Sequence, residues 1–172
     1  MKYKIDKDHP VFKIIHHSLI VILIGFFPIN YGHEFGHIAI CVANGNVPLG
    51  PFVGLRTFSV LCLGEITNPF LLNVMGGVVG FTLAFSPLLV KRIRKNKGIV
   101  IGLLFFAIPQ FGMGLGEGFF NGWYRYDPSS ELTYLSMGFA TLVIGIFLTQ
   151  RNLKILNSSF KTSIMNSIIP IS

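Results

Sequence analysis

Charge is what this chain has least of. Only 12% of its 172 residues are charged, and just seven of those are acidic, which does not suit the surface of a soluble domain. Cysteine is almost as scarce. Cys41 and Cys62 stand in apolar surroundings without CxxC spacing, so they are expected to be two small core residues, neither thiolate metal ligands nor a disulfide. The first apolar run carries the HExxH motif and no small-residue cleavage pattern follows it, so it is not expected to be a signal peptide. The glycine-rich run at 112–118 has no Lys and no following Ser or Thr at the right spacing, which excludes a phosphate loop.

What the chain does have is apolar sequence: 51% hydrophobic residues and a mean hydropathy of +0.63. At about 20 residues per crossing, this length holds about four transmembrane spans and leaves no room for a separate soluble domain. The expected fold is an all-α membrane protein of about four transmembrane helices, with a membrane-associated β-hairpin between the first two. The net charge of +7 could point to nucleic acid, but its distribution excludes that reading. Twelve of the fourteen basic residues fall at 2–13, 91–97 and 151–161, and only Arg56 and Arg125 lie elsewhere. Four crossings with both termini in the cytoplasm put all twelve inside, so the clusters read as topology signals and headgroup contacts of a multi-pass protein of the cell membrane.

In chain order, a cytoplasmic arm (1–10) leads into a first span (11–43) in which Pro28 is expected to kink the helix. A hairpin region (44–68) follows, with breakers at Asn44, Gly45, Pro48, Gly50, Pro51 and Gly54 and a β-favouring run at 57–63. Spans at 69–90, 99–117 and 128–149 come next, then a polar, basic tail (150–172). Gly76 and Gly80 offer a close-packing face to the glycines of the first span, Gly25, Gly32 and Gly36. Alternate glycines at 112–118 predict an irregular or extended backbone lining a cavity. Trp123, Tyr124 and Tyr126 read as an outer interfacial belt.

The chemistry centres on Gly32-His33-Glu34-Phe35-Gly36-His37. In a helix, residues four apart share a face, so His33 and His37 can offer two imidazoles to one ion while Glu34 reaches a water beside it. Ionisable groups at bilayer depth are costly, so three within five residues point to a metal site. A single zinc per chain would lower the pKa of a water and polarise a carbonyl, with Glu34 as the general base. His16 and His17 read as ordinary interfacial histidines.

A catalytic zinc takes three protein ligands. The topology puts His33 and His37 in the outer half of the first span, about 9 to 15 Å from its end, near three carboxylates: Glu117, Asp127 and Glu131. Asp127 before Pro128 also suits a helix N-cap, Glu117 an interfacial charge paired with Arg125, and Glu131 a helix first turn.

With His33-Glu34-Phe35-Gly36-His37-Ile38-Ala39, Gly45-Asn46-Val47, the apolar hairpin and Gly76-Gly77-Val78-Val79-Gly80, the chain resembles the site-two protease family of intramembrane zinc metalloproteases over about residues 18–149. The resemblance implies Asp127 as third zinc ligand, with Glu117 the alternative, and Asn121 as a substrate- or oxyanion-orienting residue. It departs from the family in having Pro after that Asp, glycines where prolines precede it, and a motif nearer the outer face. The implied activity is zinc-dependent hydrolysis of a peptide bond in a membrane protein or membrane-bound peptide, which the hairpin edge would hold extended. The rival readings are a prenyl-protein or signal-type HExxH peptidase using Glu117, and a metal-binding or transport protein without chemistry. Oligomeric state and substrate identity are not legible in the sequence.

Overall fold

The computed structural model describes residues 10–53, 58–120 and 129–168, with side chains described in these except at 51–53, 58, 59, 129–131 and 153–168. The elements run α1 (Pro10–Ala43), β1 (Val47–Val53), β2 (Phe58–Leu63), α2 (Pro69–Phe85), a 3-10 turn (Ser86–Leu89), α3 (Lys91–Arg94), α4 (Lys97–Phe119) and α5 (Ser129–Ile168). Four helical segments are long and apolar enough to cross a membrane: Pro10–Ala43, Pro69–Leu89, Lys97–Phe119 and Leu132–Asn152. The chain is a multi-pass, all-α membrane protein with a two-stranded antiparallel sheet between the first two spans.

Local sequence explains where each helix begins and ends. α1 continues through Pro28 and stops at Asn44-Gly45. There Gly45 takes φ +74°, its N–H bonds the Val42 carbonyl (2.9 Å) and the Asn46 N–H bonds that of Cys41 (3.1 Å), which together form a Schellman cap. Asn68 caps α2 by accepting from the Leu71 N–H (3.0 Å), and Pro69 fills the first helical position, where its missing N–H costs nothing. Asn96 caps α4 in the same way, accepting from Gly98 and Ile99.

α4 is the central helix, packed against α1, α2 and α5, whereas α5 rests almost entirely on α4. Ile29, Ala84, Phe105, Phe106 and Ala107 form the core. In lipid, helices associate through close van der Waals fit at small residues. Gly36 of α1 lies on the Met75 carbonyl of α2, and Gly77 of α2 lies on Gly114 of α4. The two close-packing faces do meet, Gly36 against Gly76, but Gly80 faces Gln110 of α4 instead.

Two expectations need correcting. Cys41 and Cys62 are joined by a disulfide with Cα atoms 5.8 Å apart, because the hairpin folds back so that β2 lies on the last turns of α1. Spacing along the chain gives no sign of that fold-back. The glycine-rich run is not irregular: residues 112–118 belong to α4. Its glycines serve contact, Gly114 against Gly77, Gly118 against Val74 and Phe70, and Gly112 against Met137 of α5, so interhelical fit outweighs the low helix propensity of glycine. The polar, basic tail continues α5, the last helix, as far as Ile168.

The hairpin pairs Val47 with Leu63, Pro48 with Cys62 and Leu49 with Leu61, with an irregularity between Leu49 and Phe52. Asn44 Oδ1 accepts from the Thr67 N–H (3.1 Å) and hydroxyl, and Asn46 Nδ2 donates to the Glu65 carbonyl (2.7 Å). Together with the disulfide, these bonds tie both ends of the hairpin to the end of α1 that carries the motif.

Candidate metal centre

The helical pitch of α1 places His33 and His37 one turn apart on the face turned toward α2 and α4, their ring centroids 4.9 Å apart. His33 is 4% exposed and Glu34 5%. Close approach of α2 depends on Gly76, where a Cβ would collide with the Nε2 atoms of both histidines. The last turns of α4 bring Glu117 to the same point.

Three ligand atoms converge there. His33 Nε2 and His37 Nε2 are 3.1 Å apart, and Glu117 Oε2 lies 3.5 Å from the first and 3.6 Å from the second. Ligand bonds of about 2.0 to 2.1 Å in a tetrahedral zinc site separate adjacent ligand atoms by about 3.3 to 3.4 Å. The observed triangle is therefore close to one face of such a tetrahedron.

The protonation of the rings follows from their outer partners. His37 Nδ1 is 2.7 Å from the Leu72 carbonyl, which can only accept, so Nδ1 carries a hydrogen and, in the neutral ring, Nε2 presents a lone pair. His33 Nδ1 is 2.7 Å from Gln110 Oε1, with the same consequence. Glu117 Oε2 is buried and has no hydrogen-bond partner. With both rings neutral, two lone pairs and a carboxylate oxygen face one another and repel unless a cation, a proton or a metal ion, lies among them. The donor set, two imidazoles and a carboxylate, suits a divalent transition metal such as zinc, and each imidazole has the outer hydrogen bond typical of metal-ligating histidine.

His33, His37 and Glu117 form the only such group of His, Cys, Asp and Glu among the described residues. Glu117, the alternative from sequence, is the carboxylate brought to the pair. Asp127 and Asn121 lie outside the described residues, as do Trp123, Tyr124, Arg125 and Tyr126, and the Glu131 side chain is likewise undescribed. His17 Nδ1 accepts from Asn96 Nδ2 (3.4 Å) and His16 stacks on Phe12, far along α1 from the motif and consistent with an interfacial place.

Sequence reasoning missed two contributors, Gln110 and Asn30, and read Gly76 only as a close-packing residue. Gln110 is fully buried, and an amide deep in an apolar span must find partners inside the protein. That was the available signal for Gln110 and, more weakly, for Asn30. Comparison with protein-family profiles, curated proteins and solved structures finds no match in any of the three, so the site must be interpreted from its own chemistry.

Proposed function

We propose that this chain is a multi-pass membrane zinc metallopeptidase that hydrolyses a peptide bond of a membrane-protein or membrane-bound peptide substrate. The observation that carries the reading is the triangle of His33 Nε2, His37 Nε2 and Glu117 Oε2, with Glu117 Oε2 buried and lacking any hydrogen-bond partner. Bound there, zinc would supply a Lewis acid that acidifies water and polarises a scissile carbonyl.

The protein's own residues do the rest. His33, His37 and Glu117 donate three ligand atoms, and Glu34, adjacent to His33 and buried, accepts the proton of the attacking water and returns it to the leaving amine. A helical substrate hides its carbonyls in its own hydrogen bonds, so it must unwind locally. The hairpin fixed to α1 next to the motif supports a strand-like hold on the unwound segment.

The charge asymmetry supports a cell-membrane protein with both termini cytoplasmic. The Cys41–Cys62 disulfide supports the same orientation, since it lies on the hairpin side and disulfides persist in oxidising compartments. In the glycine-rich stretch, Gly114 and Gly118 pack against α2 and Gly112 against α5.

Glu117 as the third ligand favours a second reading within the same chemistry, a prenyl-protein or signal-type HExxH peptidase. Zinc content of Glu117→Gln and Asp127→Asn, measured separately, tests the ligand, and cleavage of a prenylated peptide against a membrane-spanning one distinguishes the two readings. A non-catalytic metal carrier is separated by Glu34→Gln: a peptidase keeps its zinc and loses turnover on a membrane-peptide library, whereas a carrier shows no turnover to lose.

A further inference from the structure

Gln110 is fully buried in α4, adjacent to Pro109. Its Oε1 accepts from His33 Nδ1 (2.7 Å), while its Nε2 donates to Asn30 Oδ1 (3.4 Å) and Tyr134 Oη (3.5 Å). Asn30 in turn donates through Nδ2 to the Phe26 carbonyl (2.7 Å). Amides and imidazoles can each turn over and exchange donor for acceptor, but a backbone carbonyl cannot.

The Phe26 carbonyl therefore fixes the sense of the whole chain. It makes the Asn30 NH2 group the donor, which leaves Asn30 Oδ1 as acceptor. That draws the Gln110 NH2 group toward Asn30 and turns Gln110 Oε1 toward His33. A neutral His33 must then carry its hydrogen on Nδ1 and keep Nε2 bare. His37 reaches the same state directly from the Leu72 carbonyl. Both imidazoles are thus held in one tautomer by backbone carbonyls, one at first hand and one through two side-chain amides.

We propose that Gln110 is a positioning residue that, oriented by Asn30, holds His33 in the Nδ1–H tautomer with its Nε2 lone pair turned toward His37 and Glu117. Gly80 makes room for it, since a Cβ there would collide with Gln110 Oε1. Tyr134 extends the network to α5, so the fourth span contributes to the site through a side chain that donates no ligand atom.

The affinity part of this inference rests on the metal-site reading, but the tautomer part does not, and two measurements keep them separate. The first is 15N NMR of histidine-labelled, metal-free full-length protein at a pH well above imidazole titration, with the His33 signals assigned by His33→Asn. Wild type is expected to show Nδ1 protonated and Nε2 bare, and Gln110→Leu a mixture of tautomers. The second is zinc affinity by competition with a chromogenic chelator, where Gln110→Leu is expected to lose about 10- to 100-fold. Gln110→Glu, which keeps an acceptor toward Nδ1, is expected to retain affinity.

Should Gln110→Leu fail to accumulate in membranes, Gln110→Met and Asn30→Leu are expected to give the same mixed tautomer. A folded Gln110→Leu with wild-type tautomer and wild-type affinity overturns the proposal. A wild type that takes up no zinc overturns the metal-site reading instead, and the tautomer comparison still decides the role of Gln110.

Discussion

Gly76→Ala tests how tightly the site is built. A Cβ on residue 76 would stand 2.7 Å from His33 Nε2 and from His37 Cε1, and closer still to His37 Nε2, against ordinary contact distances of about 3.5 Å. Elsewhere a side chain could swing away, but these rings are pinned from behind. His33 is held by Gln110 and His37 by the Leu72 carbonyl. The methyl group must therefore push α2 outward or break one of those bonds, an overpacking strain of about 1 to 3 kcal/mol. Because the methyl occupies the space between the ligand atoms, the strain falls on metal binding, and zinc affinity should drop about 5- to 150-fold. The assay is a chelator competition on purified protein, with thermal unfolding to confirm the fold. Gly145→Ala is the control, since its Cβ would press only on Ile101, at 3.0 Å. A folded Gly76→Ala that binds zinc as tightly as wild type would show that the histidines do not meet at α2 as described.

Other substitutions separate the roles of the site. Glu34→Gln is expected to retain zinc in full and lose peptide hydrolysis by about 100-fold or more, as removal of a general base does; metal analysis alongside a cleavage assay checks both halves. Glu117→Gln should lose most of its zinc while Asp127→Asn keeps it, read by metal content after dialysis, and the opposite pattern would transfer the third ligand to Asp127. Cys41→Ser with Cys62→Ser removes a cross-link spanning 21 residues, which should weaken the hairpin's attachment by about 3 kcal/mol. Faster protease cleavage within 44–68 at unchanged zinc content is the expected result.

Much of the architecture follows from patterns visible along the chain. Apolar run length marks the four spans, Asn44-Gly45 and Asn68-Pro69 mark the ends of α1 and α2, and the four-residue spacing of His33 and His37 puts both on one helix face. What the sequence hides is information carried by packing between distant segments. Alternate glycines at 112–118 suggest a broken helix when read locally, yet they let α4 lie against Gly77, Val74 and Phe70 while remaining helical. The disulfide depends on the hairpin folding back onto α1, which nothing in the spacing of Cys41 and Cys62 reveals. Glu117 was one of three candidate carboxylates, and only continuing α4 as a helix to Phe119 brings it to the histidines. Gln110 carries no ionisable group to mark it, although a neutral amide buried among apolar residues needs partners just as much.

X-ray absorption at the zinc edge, on protein purified from membranes and reconstituted with one equivalent of zinc, bears most directly on the central claim. The arrangement of His33, His37 and Glu117 predicts two imidazole nitrogens and carboxylate oxygen at about 2.0 to 2.2 Å, with the imidazole signature reduced in His33→Ala and His37→Ala. A spectrum showing zinc bound through water or sulfur alone, or unchanged by either substitution, would contradict it.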